Sequence, residues 1–216
     1  MIFNKIIGAA GSGKPPELIW GIDEATDGAA FPSALQPGDI VFIVQKLSNT
    51  GSTTSLPAGY TRANTSLNLR MSYKVMGSTP DTSLPTIQDT NQSELAFAFR
   101  NVRVDDIGDN VYENSGNTTG WAAPSQIASG VTSPSKTFII LIAGKYTLRT
   151  AHTLTDPSGY TLIATGTNYY TSGFKTTSRH YDTVKAWYSE VPTNDISGTQ
   201  SPSAIAGTWY STSIQV

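Results

Sequence analysis

Hydrophobic and polar residues in this chain alternate over short stretches and seldom recur at helical spacing. Over residues 67–75, Leu67, Leu69, Met71, Tyr73 and Val75 alternate with Asn68, Arg70, Ser72 and Lys74. Successive side chains of a strand point to opposite faces, so a strict period of two predicts a strand with one face on the core and one in solvent. Leu95, Phe97 and Phe99 alternate with Ala96, Ala98 and Arg100 and predict another strand, which Val102-Arg103-Val104 extends after a bulge. Residues 40–44 and 137–143 are apolar on both faces, the pattern of strands buried inside a two-layer core. Further strands are expected at 159–165, 169–174, 181–191 and 208–216. Residues 45–55 and 76–91 read as polar loops, and 111–134 as a long polar connection. Over 17–35 the period is weak. Gly28 and Pro32 confine Asp23-Glu24-Ala25-Thr26-Asp27 to one helical turn at most.

This pattern occurs twice. Pro37-Gly38-Asp39 opens the first apolar strand, Leu56-Pro57-Ala58-Gly59-Tyr60-Thr61 turns the chain, and residues 69–75 carry it back. Pro134-Ser135-Lys136-Thr137 leads into the second apolar strand, Asp156-Pro157-Ser158-Gly159-Tyr160-Thr161 repeats the turn, and 184–192 repeats the return. The shared Pro-x-Gly-Tyr-Thr reads as a turn into a strand, with Tyr60 and Tyr160 at equivalent core positions. Residues 1–36 read as a Gly- and Pro-rich arm and lead-in. Residues 37–216 read as a single all-β domain: a two-sheet antiparallel jelly-roll sandwich with pseudo-repeated halves at about 37–110 and 134–216.

Composition agrees with short strands and many turns. Only 14% of residues are charged, 38% are hydrophobic, and 19 Gly and 12 Pro punctuate the chain. A net charge of -2, with basic residues scattered, argues against a nucleic-acid surface, which needs clustered Lys and Arg to neutralise phosphates. With no Cys, neither a disulfide framework nor a thiolate zinc site can form. The start, Met1-Ile2-Phe3-Asn4-Lys5-Ile6-Ile7, reads as a strand or arm rather than a signal peptide. No apolar stretch approaches the ~20 residues of a membrane span.

Candidate chemistry weakens on inspection. Gly8-Ala9-Ala10-Gly11-Ser12-Gly13-Lys14 begins like a phosphate-binding loop, but Pro15 stands where that loop needs Ser or Thr for magnesium, and it steers Lys14 away from helical angles. Lys14, Pro15, Pro16 and Trp20 read instead as a partner-binding arm and its anchor. Asp105, Asp106 and Asp109 offer carboxylates to calcium without EF-hand spacing, so a solvated turn competes with a metal site. His152 and His180 lie in polar stretches, and no Gly-x-Ser-x-Gly nucleophile elbow is present. Asp182 and Glu190 on one strand stand more than ~20 Å apart, too far for a glycosidase pair. Trp121, Tyr169, Tyr170 and Phe174 sit in or beside polar loops, where rings can stack on sugar faces or pack an interface. No cofactor is expected.

Four stretches in order carry a resemblance. They are Pro37-Gly38-Asp39-Ile40-Val41, Leu56-Pro57-Ala58-Gly59-Tyr60-Thr61, Met71-Ser72-Tyr73-Lys74-Val75 with the Pro-containing loop after it, and Leu95-Ala96-Phe97-Ala98-Phe99-Arg100-Asn101-Val102. Together they resemble β-sandwich domains of bacteriophage virion proteins, in which a PGD strand is followed by P-x-G-[WY]-T, [YF]-[YK]-[KR]-V and [AF]-x-[RY]-x-[GN]-V strands. The resemblance covers residues 37 to about 191. It implies a concanavalin-like jelly roll and a non-enzymatic virion component located in the particle: a tail fibre or host-recognition part, a baseplate part, or a capsid decoration protein. The partners it implies are other virion proteins and further copies of the chain, with a host-surface glycan as a possible ligand. A free carbohydrate-binding module is the competing class. No catalytic residue carries over.

Overall fold

The computed structural model describes residues 17–23, 28–46, 56–63, 69–86, 93–102, 108–118, 121–122, 139–148, 154, 156, 160–171, 179–189, 199–200 and 207–215. These are all-β, without a helix. The strands are β1 (Glu17–Asp23), β2 (Ile40–Lys46), β3 (Thr61–Arg62), β4 (Leu69–Val75), β5 (Ser93–Arg100), β6 (Gly108–Thr118), β7 (Trp121–Ala122), β8 (Ile139–Leu148), β9 (Thr161–Thr171), β10 (Arg179–Ser189), β11 (Thr199–Gln200) and β12 (Gly207–Gln215).

Each half of the chain builds its own five-stranded antiparallel sheet. The first runs β1-β5-β2-β4-β3 and the second β6-β12-β8-β10-β9, while β7 and β11 pair separately. Numbered within each half, and leaving out β7 and β11, both sheets read first-fifth-second-fourth-third. Register extends the match to single residues. Thr61 faces Tyr73 on β4, and Thr161 faces Tyr188 on β10. Tyr73 therefore corresponds to Tyr188, Ser72 to Trp187, Met71 to Ala186, Arg70 to Lys185 and Leu69 to Val184. Phe42 faces Tyr73 and Ile140 faces Tyr188, so β2 matches β8 with Phe42 on Ile140. This corrects the Pro37-to-Pro134 alignment by one residue, a shift that exchanges the two faces of a strand.

The first sheet is covered on both faces, which explains the continuous apolar run of β2. Ile40, Phe42, Val44, Leu69, Met71, Leu95, Phe97 and Phe99 form one cluster with Ala164, Val184 and Ala186 of the second sheet. The Phe42 and Phe97 rings stack at 5.3 Å, and Phe99 meets Tyr188 edge-on at 5.9 Å. On the other face, Val41, Ile43, Ala96 and Ala98 lie under Phe31, Leu35, Tyr60, Met76 and Leu84. That cover is knit by Phe31 N donating to Thr82 O at 2.9 Å and Leu84 N to Ala29 O at 2.8 Å.

Three sequence expectations change here. The polar face of β4 is buried, not solvated: Arg70 and Ser72 are 4% and 0% exposed. Arg70 Nε donates to Gln45 Oε1 at 2.8 Å, and Gln45 Nε2 to Glu94 Oε1 at 3.0 Å, so a polar ladder crosses β4, β2 and β5 beneath the cover. The register Arg70–Gln45–Glu94 makes this possible, and hydrogen bonding makes the burial tolerable. Within the lead-in, residues 17–23 form β1 against β5, and residues 24–27 lie outside the described residues. Finally, the expected polar connection contains β6, an outer strand paired with β12. An outer strand needs no apolar face along its whole length, so its sequence carries no strong period.

Candidate functional site

The residues carrying the resemblance converge on the covered face of the first sheet. Gln36-Pro37-Gly38-Asp39 closes as a turn, with Asp39 N donating to Gln36 O at 3.1 Å and Gly38 at φ 89°. Pro57-Ala58-Gly59-Tyr60 does the same, with Tyr60 N on Pro57 O at 3.0 Å and Gly59 at φ 79°. Positive φ at the third position is the type II signature and selects glycine. Asp39 is 2% exposed. Its carboxylate accepts from Arg100 Nε at 2.9 Å and Nη2 at 2.8 Å, and from its own turn through Gln36 N at 2.7 Å. Arg100 Nη2 also reaches Ala34 O at 2.7 Å. The next residue, Asn101, has φ 61°, which explains why a Gly-or-Asn place follows the arginine. The PGD turn and the Phe-Arg-Asn-Val strand end are thus two sides of one clamp.

A second cluster joins the remaining two motifs. Lys74 Nζ meets Asp81 Oδ2 at 2.6 Å, and the Lys74 side chain lies over Gly59. The Tyr60 ring sits in the apolar cover. Its hydroxyl is buried without a hydrogen-bond partner among the described residues. Burial, with the Asp81 carboxylate second, pushes the phenol well above its ordinary pKa. Such a phenol stays neutral near neutral pH. Tyr60 occupies the expected core position, while its counterpart Tyr160 is half-buried.

In the second half, Asp156 Oδ1 accepts from Lys185 Nζ at 2.8 Å and from Trp187 Nε1 at 2.9 Å. The Lys185 hydrogen bond holds the Asp156 carboxyl below the usual carboxylate range; desolvation opposes this, and the Trp187 hydrogen bond adds to it. Neither this cluster nor the Asp39–Arg100 clamp stood out in the sequence. Their partners are 29 and 61 residues apart in the chain.

The sequence-selected candidates scatter by comparison. Tyr169 and Tyr170 lie toward the end of β9, opposite Tyr181 and His180. Trp121 lies on β7 opposite Gln200. Tyr169, Tyr181 and Thr147 share one row, the next row holds Tyr146 opposite Thr208, and Gly207 pairs with Thr118, so the tyrosines and the β6 end that precedes β7 belong to the same end. However, β10 and β8 separate β9 from β12, the strand beside β7. Three strand spacings amount to about 14 Å, so these residues do not share a single ring-sized platform. Phe174, Lys14, Pro15, Pro16, Asp105, Asp106 and His152 lie outside the described residues. Asp109 is near the start of β6, opposite Ile214. Among the described residues no three metal-ligating side chains gather. Trp20, on β1 opposite Ala98, packs edge-on against Phe31 at 5.4 Å, so it anchors β1 to its own chain. No family model, curated protein or solved structure matches the chain.

Proposed function

We propose that the chain is a non-enzymatic structural protein of a phage particle, tail-associated as a fibre or host-recognition part, and that its partners are other virion proteins and further copies of itself. The observation that carries this reading is the convergence of the four motifs. Each motif residue that resembles the virion domains holds part of the framework. Gly38 and Gly59 form the turns, Asp39 and Arg100 form the clamp with Asn101 beside it, and Lys74 bridges Gly59 and Asp81. Motifs that hold a framework together, rather than hold a reactant, suit a scaffold protein. The finer architecture we put forward is a two-sheet antiparallel sandwich with one half per sheet. The pairings favour that layout over a jelly roll, in which consecutive strands alternate between sheets.

The test is location. An epitope-tagged chain present during particle assembly should co-purify with particles through a density gradient and be labelled on the tail. Label on the head instead would favour the capsid-decoration reading. A chain absent from particles that shows saturable glycan binding would replace the proposal with a carbohydrate-binding module.

A further inference from the structure

Edge strands offer unpaired backbone to any passing strand, and folded proteins block them by shortening, charge, bulges or cover. Three of the four edges of the two five-stranded sheets are blocked. β3 has two residues, one of them Arg62. β1 carries a register irregularity at Leu18/Trp20 and lies against β9, where a Cβ on Gly21 would come within 2.9 Å of Ile163 O. On β9, Thr165 N donates to Asp23 Oδ1 at 2.6 Å, and Gly166 abuts the Glu94 backbone. The fourth edge, β6, is different. It has eleven residues, pairs with β12 alone among the described residues in regular register over 108–114 before an irregularity between Asn114 and Thr118, and contains no Pro, Lys or Arg. Its charges, Asp109 and Glu113, are both acidic. A second β6 would therefore be repelled, and a basic strand attracted.

The chain carries such a strand. Residues 1–16 hold Lys5 and Lys14 and no acid, and Ile2, Phe3, Ile6 and Ile7 favour extended backbone. We infer that residues 2–7 of one copy add as an outer strand to β6 of a second copy. This deepens the particle-assembly reading above and rests on it. Six residues cover about 20 Å of the roughly 36 Å of β6, and the nine residues before β1 span up to about 30 Å. β1 lies against β9, four strand spacings or about 19 Å from β6 across its own chain's second sheet. That is within the arm's reach, so crosslinking at high dilution separates docking in trans from docking in cis. The rings of Pro15 and Pro16 favour an extended path away from β1. An arm joined head-to-tail to the next copy is heterologous, so repetition makes a ring or a filament.

The full chain should form concentration-dependent oligomers by light scattering, and a chain lacking residues 1–14 should be monomeric. A synthetic peptide of residues 1–14, added to the truncated chain, should slow amide hydrogen exchange at 108–118. Lys5→Glu in the peptide should weaken binding about twofold to fivefold, and the double variant Asp109→Lys, Glu113→Lys should restore it. If that double variant fails to fold, Asp109→Asn with Glu113→Gln should abolish the difference between the two peptides. Arm-independent oligomers, protection elsewhere in the chain, or arm-to-β6 crosslinks confined to single chains at high dilution would each overturn the inference. A chain found on particles whose oligomers ignore the arm sinks this inference and leaves the particle reading intact. Absence from particles with the arm still docking on β6 does the reverse.

Discussion

The first and second halves reach one strand order with different residues at matching places. On the face turned to the shared core the match is close in kind: Leu69 and Met71 correspond to Val184 and Ala186, all in one apolar cluster. On the opposite face it breaks down. Ser72, fully buried and paired with Ile43 of the covered face, corresponds to Trp187, also fully buried and held by Asp156. A small residue under a thick cover and a large ring tied to a nearby loop residue are two ways to bury the same strand. The strands around the core differ too. β3 has two residues where β9 has eleven, and it is β9 that reaches over β1 and β5. Apolar character toward the core is therefore what the repeated framework demands, whereas side-chain volume, the outer cover and the edge strands are free to diverge.

The sharpest way to break this comparison is to place the first half's residue in the second. Trp187→Ser removes a fully buried ring and the donor to Asp156, and we expect a loss of about 4 kcal/mol. In a chain of this size that lowers Tm by roughly 8–16 °C in calorimetry. A loss under about 1.5 kcal/mol would mean that the second outer face is not tightly filled and that the two halves are covered alike. Next comes the one-sided closure. A Cβ on Gly166 would lie 2.8 Å from Glu94 C and 3.0 Å from Glu94 N, and closer still to the carbonyl oxygen, all backbone that cannot swing away. Gly166→Ala should cost about 3 kcal/mol, and Gly21→Ala, 2.9 Å from Ile163 O, about half of that. Gly77→Ala meets nothing within 4 Å and should stay within about 0.5 kcal/mol in the same urea titrations. Equal effects at all three would mean that β9 does not close tightly on β1 and β5.

The clamp at the PGD turn comes third. Asp39→Ala strips two hydrogen bonds from Arg100 and one from Gln36 N, and should cost about 2–3 kcal/mol in chemical denaturation. Lys74→Ala breaks a pair whose side chains are 28% and 35% exposed, and should cost about 0.5 kcal/mol. That ranking also marks what the sequence could tell. The two Gly turns, the alternation of β5 and the doubly apolar β2 are legible because backbone angle and period are local properties. The buried side of β4 is not, because the burial of Arg70 and Ser72 depends on residues distant in the chain, among them Gln45 for Arg70, which no local period reveals. β1 and β6 do not stand out as strands because outer strands carry little alternation. For the candidate site, Pro37-Gly38-Asp39 and Phe99-Arg100-Asn101 are recognisable as motifs. That they form one clamp requires knowing that β5 pairs with β2.

The smallest effect separates the two outer faces by pH. Asp156 has a folded pKa below its unfolded value of about 3.9, chiefly through Lys185. A carboxylate with a lowered folded pKa adds stability that is present above the unfolded pKa and lost as pH falls through the folded one. Its side chain is 49% exposed, so solvent screening limits the gain to about 0.3 kcal/mol. Asp156→Asn keeps an oxygen for Trp187 Nε1 and removes only the charge opposite Lys185. Urea midpoints for wild type and variant should therefore differ slightly at about pH 6–7 and converge as pH falls below the usual carboxylate range. The place in the first half that corresponds to Asp156 is Leu56, which does not titrate, so Leu56→Asn should leave the pH profile unchanged in shape. Coincident midpoints for wild type and Asp156→Asn at about pH 6–7 would assign the role of Asp156 to the Trp187 hydrogen bond rather than to its charge. The second outer face would then be held by packing and hydrogen bonding without its charge, unlike the first, where Asp39 pairs with Arg100.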